Sequence, residues 1–275
     1  MADHAGFCFG VKRAVDAILE ALGEEREVWT IGLPIHNPQE VDRLKSMGLR
    51  VARDAGEIPP GARVLIRAHG EPRAVMDALG EKGVSVVDTT CPFVRRAQGL
   101  AASLSAAGYC VVLLGDRAHP EIRGIMGHVE GPLDVVADEM EAKALPRRGR
   151  VALVSQTTQQ EERLAAVAAV LVSRADELHV CNTICRATVE RQEAVRALVG
   201  RTDGMVLIGG RESANTGKLR SIAEAEGLDV LWLEDVAELE ENRRWFEGRD
   251  RIGIAAGAST PEWLITEISN EIARM

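Results

Sequence analysis

The 275-residue sequence is poor in aromatic side chains: Phe, Trp and Tyr make up 3% of it, with a single tyrosine. It also lacks an excess of positive charge, with 33 Lys and Arg against 42 Asp and Glu and a formal net charge of −9. Without a basic footprint or stacking platforms, nucleic-acid binding is excluded as a general function. An anionic ligand must be held by a local site, not by the field of the whole chain. No apolar run approaches the roughly 18 residues of a membrane span, and MADHAGFCFG has no signal-peptide core. Cysteines stand only at positions 8, 91, 110, 181 and 185, too few and too dispersed for a secreted disulfide scaffold. The expected setting is a reducing cytoplasm. There the cysteines serve as free thiols, metal ligands or nucleophiles. No Walker-type phosphate loop occurs, so nucleotide triphosphate chemistry is not indicated.

What is present is a large apolar content, 46%, in short runs that alternate with helical patterns. Strand-like runs lie at 27–32, 49–53, 63–69, 85–90, 109–115, 133–138, 151–156, 177–182, 204–210, 229–234 and 251–257. Amphipathic helices are expected at 10–23, with Val11, Val15, Ile18 and Leu22 on one face, and at 163–175. Another helix, charge-rich and solvated, is expected at 236–250. Such alternation means α/β architecture with mainly parallel sheets covered by helices. These sheets place ligands at the carboxyl ends of their strands. Six strand ends are polar here: RAHG (67–70), DTTC (88–91), GDRAHPE (115–121), SQTT (155–158), GGRES (209–213) and AGAST (256–260). Ordinary helix capping explains any one of them; together they suggest a site.

Cys8, Cys91 and Cys185 recur at intervals of roughly 80 to 95 residues, which suggests three similar units. Four apolar runs precede Cys91, four lie between Cys91 and Cys185, and three follow. Each of these cysteines stands where a loop enters a helix, a place that stabilises a thiolate. Three thiolates from separate units fit an iron–sulfur cluster with one iron left open. Buried small hydrophobes remain the alternative for them, and are the expectation for Cys110 and Cys181.

In order along the chain come AGFCFGVKRAVD, IHNPQEV, RAHG, VVDTTCPFV, LLGDRAHPEIRGIMGH, SQTT, NTICRATVERQEA, GGRESANTGKL and AAGASTPEWLI. This ordered set, spanning about Ala5 to Ile265, closely resembles the 4-hydroxy-3-methylbut-2-enyl diphosphate reductases. These are the LytB-type iron–sulfur enzymes that end the methylerythritol phosphate route to isoprenoids. The resemblance implies three similar α/β lobes in pseudo-threefold arrangement around a central cluster. The lobes would cover 9–90, 91–183 and 184–260, with 1–8 associated with the third lobe and a C-terminal helix over 261–275. It implies one 4Fe–4S cluster per chain, held by Cys8, Cys91 and Cys185, with the substrate hydroxyl on its open iron. Two electrons, from a ferredoxin- or flavodoxin-type donor, and two protons would give isopentenyl and dimethylallyl diphosphate.

Glu121 matches the family's proton source and Thr157 the group that relays or orients the hydroxyl. His36, His69, His119, Thr157, Thr158, Ser213, Asn215 and Ser259 match substrate contacts. Protonated histidines would make diphosphate affinity fall as pH rises above about 7. His4, His128 and His179 match no role. The family starts with a short apolar strand before its first cysteine motif, whereas only MADHA precedes GFCFG here. The expectation is that this missing strand belongs to the third sheet. Ala214 stands where relatives often carry another hydroxyl, so one phosphate contact is expected to be absent. Two other classes fit parts of the pattern. A binding protein for a small phosphate ligand, with incidental cysteines, explains the strand ends but not the cysteine spacing. A cysteine hydrolase needs one reactive thiol, and no nucleophile–base signature is present.

Overall fold

The computed structural model describes residues 1–25 and 27–275. The chain divides into two compact units, one formed by 16–34 and 49–185, the other by 1–15, 35–48 and 186–275. The cut falls within α1 (Phe9–Glu24), and α2 (Pro38–Ser46) belongs to the second of these units.

The first unit holds two four-stranded parallel sheets. One contains β1 (Val28–Ile31), β2 (Leu49–Ala52), β3 (Arg63–Ile66) and β4 (Ser85–Asp88), in the order β2-β1-β3-β4. The other contains β5 (Cys110–Leu114), β6 (Leu133–Val136), β7 (Arg148–Ser155) and β8 (Ala175–Cys181), in the order β6-β5-β7-β8. Its connecting helices are α3 (Arg73–Glu81), α4 (Pro92–Ala106), α5 (Pro120–Met126), α6 (Glu139–Ala144) and α7 (Glu161–Val172). Every residue of β5 is buried. Val111 and Leu113 pack with Ile122 and Ile125, while Val112 and Leu114 pack with Leu164 and Val167. That two-sided burial is why the sequence reads YCVVLLG without alternation.

The second unit carries a three-stranded parallel sheet of β9 (Gly204–Ile208), β10 (Val230–Leu233) and β11 (Ile252–Ala256), in the order β10-β9-β11. Around it lie α8 (Arg186–Arg196), α9 (Ala214–Ala225), α10 (Ala237–Glu241) and α11 (Glu262–Ile272). The order is that of the four-stranded sheets without the fourth strand. On that side of β11, Ala2 N–H donates to Ile254 O at 2.7 Å, and residues 1–8 form no strand.

All eleven expected strands are present. The expected helix at 163–175 instead runs from Glu161 to Val172, because Ala175 already pairs with Arg148 in the sheet. The charge-rich segment 236–250 is not one helix. It breaks at Asn242, whose Nδ2 donates to Glu238 O, and continues as a 3-10 turn over Arg243–Phe246. Trp245 and Phe246 both pack on the sheet's core, and adjacent aromatic residues on one α-helix point in different directions. Among the described residues, no helix is long and apolar enough to cross a membrane.

Candidate functional site

In each four-stranded sheet the chain leaves the two central strands, first and third in sequence, toward opposite edges. Parallel sheets bind ligands at this switch point, at the strands' carboxyl ends. The candidate residues fall there in equivalent positions. Five residues beyond β1, β5 and β9 stand His36, His119 and Ser213. Three residues beyond β3, β7 and β11 stand His69, Thr158 and Ser259. Glu121 and Asn215 share a further equivalent position, seven residues beyond β5 and β9. The turns begin on Gly32, Gly115 and Gly209. A Cβ at Gly115 would lie 2.6 Å from Ile122 Cδ1 and 2.8 Å from Gln156 Oε1, so that approach needs glycine.

Cys8, Cys91 and Cys185 follow the same rule. Each backbone N–H donates at 3.0 Å to the carbonyl two residues beyond a sheet's third strand: Cys8 to Ala258, Cys91 to Ala68 and Cys185 to Thr157. Each is half-buried and stands immediately before a helix, Cys91 as the N-cap of α4 with Pro92 behind it. The Cys91 loop is further fixed by Asp88, which accepts the N–H and hydroxyl of Thr90 and pairs with Arg95. Cys110 and Cys181 instead sit buried within strands, and burial pushes both thiols up. No disulfide is present among the described residues. Three half-buried thiols at helix starts, in equivalent positions, suit thiolate ligation of a metal centre; the two strand cysteines do not.

Glu121 lies in the first turn of α5. Its amide N–H is accepted by His119 Nδ1 at 3.2 Å. Its carboxylate turns inward, where Oε1 accepts the Thr157 backbone N–H at 2.6 Å and Oε2 the Thr157 hydroxyl at 2.8 Å. The side chain is buried, and that burial raises its pKa from the ordinary 4.5 to about 7, with the two Thr157 bonds pulling the other way. A carboxyl with a pKa near neutrality, fixed by two bonds, has the properties that proton transfer at physiological pH requires. Thr157 thus connects the acid to the Cys185 loop through its own carbonyl.

His69 and His119 meet edge to face, 5.4 Å between ring centres. With Nδ1 of His119 accepting the helix N–H, Nε2 is the ring nitrogen left to donate. In the second unit, the His36 carbonyl abuts Gly210, where a Cβ would lie 2.3 Å from it. Ser213 caps α9 by accepting the Thr216 N–H at 3.3 Å. Asn215 is buried, and its Nδ2 has no hydrogen-bond partner among the described residues, which leaves a buried donor available. Ser259 follows the carbonyl that holds Cys8. Two of the rare aromatic residues brace these loops: Trp232 Nε1 donates to Gly209 O at 2.6 Å, and Trp263 Nε1 to the buried Glu40 of α2 at 3.0 Å. His128 Nδ1 meets Gly124 O, and His179 packs on Tyr109.

Arg191 was not anticipated from the sequence. It is buried on α8 together with Thr188, Gln192 and Val195. Three of those four buried positions are polar, so the stripe does not read as a core face in the sequence.

The protein-family model described as "LytB protein" matches residues 1–273. Curated proteins named 4-hydroxy-3-methylbut-2-enyl diphosphate reductase are similar along the whole chain. That of Geobacter sulfurreducens is 43% identical over 99% of this chain and 95% of its own length. That of Aquifex aeolicus is 42% identical over 99% and 94%. A solved structure described as (E)-4-hydroxy-3-methyl-but-2-enyl diphosphate reductase, the terminal enzyme of the non-mevalonate pathway, is 41% identical. It covers 100% of this chain and 98% of its own, with a TM-score of 0.71. The Plasmodium falciparum reductase, at 23% identity, shares the fold with a TM-score of 0.92 over 98% of this chain and 86% of its own.

Proposed function

The chain belongs to the LytB family of 4-hydroxy-3-methylbut-2-enyl diphosphate reductases, and we propose that it performs that reaction with one 4Fe–4S cluster held by Cys8, Cys91 and Cys185. The reaction replaces the allylic C–O bond of (E)-4-hydroxy-3-methylbut-2-enyl diphosphate by a C–H bond. Two electrons and two protons are consumed, water leaves, and isopentenyl and dimethylallyl diphosphate form. When bound, the cluster supplies the electrons and one coordination position that has no protein thiolate. The equivalence of the three cysteines, each tied by its N–H to a third-strand loop, supports this ligand set. It also disfavours a phosphate-binding protein with incidental cysteines.

Glu121 donates the proton that lets the hydroxyl leave as water. Its raised pKa keeps it protonated near neutrality, and Thr157 fixes its carboxyl. Thr157 and Thr158 orient the substrate hydroxyl. His36, His69, His119, Ser213, Asn215 and Ser259 hold the diphosphate by hydrogen bonds, compensating for the chain's net negative charge. The electron donor is a ferredoxin- or flavodoxin-type protein, and the setting is cytoplasmic.

The observation that carries the reading is the buried Glu121–Thr157 pair bonded to the backbone of Cys185. The test is anaerobic turnover of the allylic diphosphate by reconstituted protein with a reduced one-electron donor. Formation of both five-carbon diphosphates is expected. An iron-replete protein that leaves the substrate intact would end the proposal.

A further inference from the structure

The segments leading into the three cysteines are anchored unequally. Before Cys91 lies β4, whose residues pair with β3 up to Asp88 opposite Ile66. Before Cys185 lies β8, which pairs with β7 up to Cys181 opposite Val154, and Asn182 then accepts the Ile184 N–H. Before Cys8 there is no strand. Residues 2–8 are tied to the third sheet by Ala2 N–H to Ile254 O and Cys8 N–H to Ala258 O. Between those two bonds stands Gly6, with φ of +98°. L side chains rarely adopt that conformation, so the turn favours glycine whatever the space around it.

Two side chains of α8 reach into that gap: Glu190, whose Oε2 stands 4.0 Å from Nδ1 of the exposed His4, and the buried Arg191. Arg191 of α8 donates through Nη2 to Gly6 O at 2.8 Å and through Nη1 to Ala187 O at 2.9 Å, so its guanidinium links the Gly6 turn to a rigid helix. Arg191 stands six residues after Cys185. Six residues after Cys8 and Cys91, the equivalent positions hold the fully buried Ala14 and Ala97. A buried guanidinium thus occupies, in one of three helices, a place that alanine fills in the other two. Burying such a group is costly unless its bonds are needed.

We propose that Arg191 is a positioning residue for the Cys8 thiolate, supplying to the strandless approach of this one ligand the anchorage that a fourth strand gives the other two. The proposal rests on the cluster reading above. Arg191 acts through the Gly6 carbonyl. Its effect is on how firmly the Cys8 loop is held for ligation.

The test compares full-length wild type, Arg191→Lys and Arg191→Met after anaerobic reconstitution. The first readout is the rate of iron loss to a chelator. Losing a charge-assisted hydrogen bond in a buried place should speed that loss by about 10- to 100-fold in Arg191→Met. Arg191→Lys, which keeps a cationic donor, should recover most of the difference. The second readout is alkylation of each cysteine in the cluster-free chains, resolved by mass spectrometry. Cys8 should react faster in Arg191→Met, with Cys91 and Cys185 unchanged. General destabilisation would raise all three rates together, and that outcome overturns the proposal, as does wild-type behaviour of Arg191→Met. A wild type that takes up no iron overturns the cluster reading itself, and the ligation role of Arg191 with it. An iron-replete wild type beside an unaffected Arg191→Met removes the Arg191 proposal alone.

Discussion

Replacing Glu121 by Gln should change the pH dependence of folding stability in a calculable way. In the folded chain, burial lifts the carboxyl from 4.5 to about 7. Between these values the folded protein keeps a proton that the unfolded chain has released. Stability from this group is therefore fully present below pH 4.5, declines as pH climbs, and is lost above about 7. The whole effect is about 3 kcal/mol. Gln has no titration in this range. Its carbonyl can accept the Thr157 N–H, and its amide can donate to the Thr157 hydroxyl, so packing and bonding are kept. Urea unfolding of the two cluster-free proteins at pH 5, 6, 7 and 8 isolates the term, because every other titrating group cancels in the difference. The Gln variant should gain on wild type by about 2–3 kcal/mol between pH 5 and pH 8. A difference that stays constant over that range would refute a buried carboxyl of raised pKa.

Three further outcomes follow from the same geometry. In turnover, Glu121→Gln should keep its iron but lose about 10²–10⁴ in rate; near-normal rates would remove the acid role. Thr157→Val deletes a bond that holds the carboxyl down, so the alkaline limb of the rate–pH profile should move to higher pH, and a shift downward would contradict the assignment. Ser213→Ala removes the cap of α9, which costs roughly 0.5–2 kcal/mol in unfolding experiments. Together with Asn215→Ala it should weaken pyrophosphate binding measured by calorimetry, and unchanged affinity in both would take these residues out of the site.

The strands were legible because each is a short apolar run ending in turn residues, and β5 and β9 are buried from end to end. The sheets' common strand order could be guessed only from cysteine spacing. Its equivalent positions carry unlike residues, His36, His119 and Ser213 at one and His69, Thr158 and Ser259 at the other. No sequence repeat survives such divergence, although the backbone geometry does. The acidic segment misled because its charge pattern hides Trp245 and Phe246, which the core claims. Arg191 was invisible for a related reason: a basic residue on a helix reads as solvated surface until its burial is seen.

Iron content tests the central claim most directly. After anaerobic reconstitution, wild type, Cys110→Ser and Cys181→Ser should be brown, absorb near 400 nm and carry about four irons per chain. Cys8→Ser, Cys91→Ser and Cys185→Ser should not. A colourless wild type, or an iron-poor Cys181→Ser beside an iron-replete Cys185→Ser, would contradict the account.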